Sequence, residues 1–146
     1  MKIYFLILLL SIPIGANADN KIEAFFGDWC VNKVTKYRGG LTTESEAKSK
    51  IGSKLSISPE VYIDSEKKIE NPILKFKSEQ VVLGEGVVRE KDSIFYGVYP
   101  DRKSKKVIEV YESLDENYPW SELELINNES FFELYDGYVY VYSKCL

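Results

Sequence analysis

The chain has 146 residues, 45% hydrophobic and 29% charged, which is enough to bury one core and too short for two ordinary domains. It carries 19 basic and 23 acidic residues, a formal net charge of −4, and an acidic chain does not collect on nucleic acid or anionic lipid because its own field repels phosphate. It contains no histidine, which removes Ser-His-Asp and Cys-His nucleophile activation, histidine-based zinc or copper sites, and ordinary proton shuttling near neutral pH.

At the start, Lys2 precedes an apolar run from Ile3 to Leu10, then Pro13 and Gly15, then Ala16-Asn17-Ala18 with small residues where a signal peptidase cuts. Residues 1–18 are therefore expected to be a cleavable signal peptide, and residues 19–146 a single domain. Spanning a bilayer takes roughly 20 apolar residues, so no stable membrane insertion is expected after cleavage, and the product is expected to be secreted or periplasmic. No cysteine follows the cleavage site to take a lipid. Losing Lys2 leaves 18 basic residues against 23 acidic, a net charge of −5.

Phe25 to Tyr37 is rich in aromatic and β-branched residues and reads as a long strand, stopped by Gly39-Gly40. Thr42 or Thr43 then caps a short helix over Glu44 to Ile51, with acids in its first turn, lysines in its last and Gly52 beyond. Downstream the pattern has a period of two. Leu55 and Ile57 alternate with Ser56 and Ser58, Val61 and Ile63 follow Pro59, and Leu74 and Phe76 alternate with Lys75 and Lys77. Val81 to Val88 and Ser93 to Tyr99 are further strands, the first interrupted by Gly84 and Gly86. Arg102-Lys103-Ser104-Lys105-Lys106 forms a basic turn before a strand over Lys106 to Glu112, and a polar loop leads to Trp120. The last third reads as a meander: Glu122 to Ile126, a turn at Asn127-Asn128, Phe131 to Tyr135, a turn at Asp136-Gly137, and Tyr138 to Ser143.

Cys30 and Cys145 are the only cysteines. In an oxidising compartment a lone pair bonds to itself, the alternatives being free thiols or an intermolecular link. Bonded cysteines need α-carbons within about 7 Å, so the first and last strands must then be neighbours. Many short strands with their ends tied together imply an all-β fold, an antiparallel up-and-down β-barrel with one short α-helix after the first strand, because closure removes exposed edges.

Phe26-Gly27-Asp28-Trp29, just inside the expected new N-terminus, resembles the Gly-x-Trp signature of lipocalins and the wider calycin superfamily. The resemblance implies that Trp29 packs across one end of the barrel and that Gly27 lets the backbone approach closely. The chain departs from that family in placing its helix early, in having only a hairpin turn at Asp136-Gly137-Tyr138, and in offering Lys144 where a late arginine is usual. The order of Gly-x-Trp strand, short helix ending in Ile51-Gly52, then Leu55-Ser56-Ile57-Ser58 is also similar to small lipocalin-like proteins secreted by bacteria.

The remaining chemistry is carboxylate chemistry. Glu44/Glu46, Glu109/Glu112 and Glu122/Glu124 are paired acids, but Glu122 and Glu124 fall opposite Leu123 and Leu125, on a face expected to be solvated. Asp115, Glu116 and Asn117 lack the spaced oxygen ladder of a calcium loop. Gly84-Glu85-Gly86 lacks the lysine and hydroxyl of a phosphate cradle, and Asn128-Glu129-Ser130 is formally a glycosylation acceptor. No catalytic residue, metal or cofactor is expected.

Tyr138, Tyr140 and Tyr142 share one face of the last strand, while Val139, Val141, Ser143 and Cys145 share the other. If the bridge joins equivalent faces, the tyrosines lie on the side of Trp29, which the resemblance makes the barrel interior. Such an interior is either a filled aromatic core or a cavity for one guest. The first functional expectation is a non-enzymatic, monomeric binding protein holding a small apolar or aromatic ligand between Trp29, Tyr138, Tyr140 and Tyr142. The alternative is a periplasmic inhibitor or immunity-type protein that blocks a hydrolase, with Arg102, Lys103 and Trp120 meeting the protein partner.

Overall fold

The computed structural model describes residues 22–80 and 104–146. The expected signal peptide, the strands over Val81 to Val88 and Ser93 to Tyr99, the Gly84-Glu85-Gly86 segment, and Arg102 and Lys103 lie outside the described residues.

A 3-10 turn, Ile22–Phe25, comes first, so Phe25 does not begin the strand as its aromatic run predicts. Gly27 explains the difference: at φ +115 it takes a backbone conformation that side chains disfavour, and strand β1, Gly27–Lys36, opens there. The helix α1, Glu44–Ser49, begins on Thr43, whose hydroxyl accepts from the Glu46 N–H at 3.3 Å while Glu46 accepts from the Thr43 N–H at 2.7 Å. This reciprocal cap stops a six-residue helix from fraying.

Among the described residues eight more strands follow: β2 Lys54–Ile57, β3 Val61–Ile63, β4 Lys68–Glu70, β5 Ile73–Gln80, β6 Ser104–Tyr111, β7 Ser121–Asn127, β8 Ser130–Tyr135 and β9 Tyr138–Lys144. All nine form one antiparallel, curled sheet in the order β4-β3-β2-β1-β9-β8-β7-β6-β5. The first strand therefore pairs with the last, and the edge strands β4 and β5 are joined in sequence by Asn71 and Pro72 alone. The fold is all-β with one short helix after the first strand.

Cys30 and Cys145 form a disulfide with α-carbons 5.1 Å apart, joining β1 to the end of β9. Cys30 lies opposite Ser143 in the ladder, so the bond sits on the face away from Trp29. A bulge between Val31 and Lys33 shifts the register in β1, and the tyrosines of β9 keep one face throughout. Trp29, Val31, Leu55, Ile57, Tyr62, Ile69, Ile108, Leu123, Phe131 and the three β9 tyrosines belong to one buried cluster inside the curl.

Hairpin chemistry fixes β8 to β9. Asp136 and Gly137 have φ of 40 and 86, the paired positive angles of a tight two-residue turn. A side chain on Gly137 would also bring its Cβ within 2.8 Å of the Arg38 carbonyl. Asp136 accepts from the backbone N–H of Leu41 at 3.1 Å and from that of Thr42, tying the turn to the segment that enters α1.

Three sequence expectations need correction. The β7–β8 loop is Asn128-Glu129, not Asn127-Asn128; Asn127 pairs with Ser130, and a register shift after Leu125 absorbs the turn without positive angles. In β3 the inward residue is Tyr62, while Ile63 is 38% exposed; Val61, Tyr62 and Ile63 are all apolar, so alternation gives no face. Glu124 is buried instead of solvated, because it stands between Val107 and Phe132 on a covered outer face.

Candidate functional site

The inner face of the β8–β9 hairpin carries Phe131, Glu133 and Tyr135 opposite Tyr142, Tyr140 and Tyr138. At one end Trp29 is wholly buried, its ring 4.7 Å from that of Phe131 and its indole N–H bonded to the Phe25 carbonyl at 2.8 Å. Lys144 closes this end. Its Nζ lies 3.9 Å from the centre of the Trp29 ring and donates to the Phe26 carbonyl at 2.8 Å. Burial holds the Lys144 ammonium below the usual lysine range, with Asp28 opposing.

Toward the other end the packing opens into a cavity of about 290 Å³, lined by Lys50, Asp64, Trp120, Glu133, Tyr140 and Tyr142 among others. Lys50 comes from the C-terminal cap of α1, Asp64 from the turn after β3, and Trp120 from the residue before β7. The Trp120 N–H donates to Asp64 at 2.8 Å, and the Lys67 ammonium lies 4.5 Å from its ring centre. The side chain is thus fixed on both its edge and its face, yet it remains 42% exposed.

Of the expected ligand residues, Tyr140 and Tyr142 line the cavity, and Trp29 and Tyr138 pack in the core away from it. Trp120, expected at a partner surface, is exposed and also lines the cavity. Tyr142 donates to Glu133 at 3.3 Å, whereas the buried hydroxyls of Tyr138 and Tyr140 have no hydrogen-bond partner among the described residues. Orphan phenols are uncommon in a finished core and common where water or a ligand completes the set.

Glu133 is the residue that the sequence reading missed. Its carboxylate accepts from Ser121 at 2.7 Å and from Tyr142, and no lysine or arginine among the described residues pairs with it. Burial pushes its carboxyl above the ordinary glutamate range; Asp64 adds to the rise, while Ser121, Tyr142 and Lys50 oppose it. Parity puts Phe131, Glu133 and Tyr135 on one face, but Phe131 and Phe132 are both apolar, so only the register tells which face is inner.

Glu109 is an informative contrast. It is buried on the outer face, whereas Glu133 is half-buried, and burial works against the Glu109 charge. The Lys77 ammonium at 2.6 Å and the Tyr111 hydroxyl at 2.7 Å outweigh that penalty and hold it below the usual range. Glu109 is a satisfied structural ion, and Glu133 is a half-buried acid with no cation paired to it among the described residues.

The other acids have structural work. Glu44 pairs with Lys48 at 2.6 Å, Glu46 completes the helix cap, Glu112 pairs with Lys67 and Glu122 with Lys105. Asp115, Glu116 and Asn128 are exposed. Among the described residues no group of three histidines, cysteines or acids is placed to hold a metal, and no helix is long and apolar enough to cross a membrane.

Because Glu133 is raised, its neutral form is the one the fold tolerates, so its contribution to stability is retained at low pH and lost as pH climbs through its folded value. Glu133→Gln removes the charge, keeps an oxygen that accepts from Ser121 and presents an NH2 to which the Tyr142 hydroxyl can turn its own oxygen. We expect wild type and variant to melt together near about pH 4, with the variant increasingly the more stable toward about pH 8; parallel melting curves would contradict the assignment.

No family model, curated protein or solved structure matches the chain.

Proposed function

We propose that this is a non-enzymatic binding protein of the periplasm or cell exterior that holds a small aromatic ligand inside a lipocalin-like barrel. The observation that carries the reading is the cavity of about 290 Å³ walled by Trp120, Tyr140 and Tyr142. Its lining joins an aromatic wall, which also includes Tyr135, to charged and hydroxyl groups from Lys50, Asp64 and Glu133 among others, and convergent polar groups beside an aromatic surface suit a small-molecule site. Three features support the barrel. The edge strands are joined by two residues, the seam between β1 and β9 is covalently sewn, and the tryptophan of the Gly-x-Trp motif lies under the late cation Lys144. The disulfide fits an oxidising compartment.

Titration of the oxidised protein with a panel of small aromatic compounds tests this. A ligand is expected to quench tryptophan emission saturably and to raise the melting temperature, by linkage worth about 2.7 kcal/mol at a hundredfold excess over Kd. Trp120→Phe is expected to remove the quench, since Trp29 is sealed from the cavity. If no compound does either, the reading fails.

One observation favours the inhibitor alternative. Leu114 and Tyr118 are 78% and 82% exposed on the loop that ends at Trp120, as interface anchors are before a partner covers them. Loss of hydrolase inhibition in Tyr118→Ser, with small-ligand binding intact, would favour this second reading.

A further inference from the structure

Resting on the cavity as a small-molecule site, we propose that its ligand is anchored by an organic ammonium group, seated between the Glu133 carboxylate and the tyrosine wall of the β8–β9 hairpin.

The charges around the cavity select this sign. Lys50 is committed to Glu66 at 2.6 Å and Lys54 to Asp28 at 2.7 Å. Asp64 accepts the Trp120 N–H on one oxygen and the backbone N–H groups of Glu66 and Lys67, both at 2.7 Å, on the other. What remains is Glu133, with only hydroxyl donors. An anionic guest would face Asp64, Glu66 and Glu133 with no uncommitted cation among the described lining residues to receive it. A cation finds the charge partner that the fold withholds from Glu133.

The wall already holds one ammonium. Lys50 Nζ stands 5.4 Å from the ring centre of Tyr135 and 5.9 Å from that of Tyr140, within range for attraction to the ring faces. The Tyr140 hydroxyl supplies an independent sign of an occupant, since it lies in a side chain only 2% exposed, on the cavity wall, and has no partner among the described residues. An alkylammonium offers three N–H donors, and both the Glu133 carboxylate and a phenolic oxygen accept them.

The ammonium pairs with the ionised form of Glu133, the form that burial disfavours. The groups facing that carboxyl are Lys50 from the end of α1, Asp64 from the turn after β3, Tyr62 on β3, Ser121 on β7, and Tyr140 and Tyr142 on β9. Only Lys50 favours the charge by its own charge, so the affinity for the amine is expected to rise as pH climbs through the Glu133 ionisation.

Calorimetric titration of the oxidised protein with 2-phenylethylamine, its neutral analogue 2-phenylethanol and the anion phenylacetate is the test. The amine is expected to bind at least about tenfold more tightly than the alcohol, with phenylacetate weakest. Glu133→Gln is expected to erase the preference for the amine over the alcohol. Equal or tighter binding of the alcohol or the acid overturns the ammonium assignment and leaves the cavity as a binding site. Failure of all three to bind overturns both.

Discussion

Unlinking Cys30 from Cys145 is expected to lower the stability of the folded protein by roughly 4 to 5 kcal/mol on the chain-entropy model. The bond spans 115 residues, so it removes freedom from nearly the whole unfolded chain while adding little to the native contacts of β1 and β9. The double variant Cys30→Ser/Cys145→Ser should therefore still fold, with the β1–β9 ladder intact. Its urea midpoint should fall well below that of the oxidised protein, and its slope should increase because the unlinked denatured chain is more open. An unchanged midpoint would mean that the bond does not restrain the ends.

Replacing Trp29 by alanine is expected to cost about 3 to 5 kcal/mol, the range for deleting a large aromatic side chain from a packed core. The indole fills the closed end of the curl, against Phe131 on one side and under Lys144, with its N–H satisfied by the Phe25 carbonyl. Trp29→Phe separates the contributions. It keeps most of the apolar contact and loses the hydrogen bond, so a smaller loss of about 1 to 3 kcal/mol is expected from the carbonyl left unpaired. A loss under about 1 kcal/mol for Trp29→Ala would place that residue outside the core.

These two effects rest on features legible in the sequence. The cysteine pair stood alone, and the alternation in β9 was strict, so one covalent constraint assigned Tyr138, Tyr140 and Tyr142 to the face of Trp29. The Asp136-Gly137 turn and the Thr43 cap were readable because their backbone needs are met by few residue types. β3 and β8 were not readable in the same way. Where consecutive residues are all apolar, as in Val61-Tyr62-Ile63 and Phe131-Phe132, a period of two names no inner face.

That ambiguity hid the site. Glu133 follows Phe131 and Phe132, and a glutamate in such a run reads as solvated until the register assigns it to the tyrosine face. Trp120 precedes its strand and belongs to no alternation, so its bond to Asp64, 56 residues away in sequence, has no local signature. The long-range pairing that builds the cavity is a property of topology, and only the disulfide announced any of it beforehand.

The most direct measurement is an NMR titration of the oxidised protein with 2-phenylethylamine, following the two tryptophan indole N–H resonances and the Glu133 side-chain carboxyl. Saturable shifts at Trp120 and Glu133, with the Trp29 indole unmoved, are the expected result. Shifts at Trp29 with Trp120 and Glu133 silent, or no saturable shift anywhere, would contradict the placement of a ligand in this cavity.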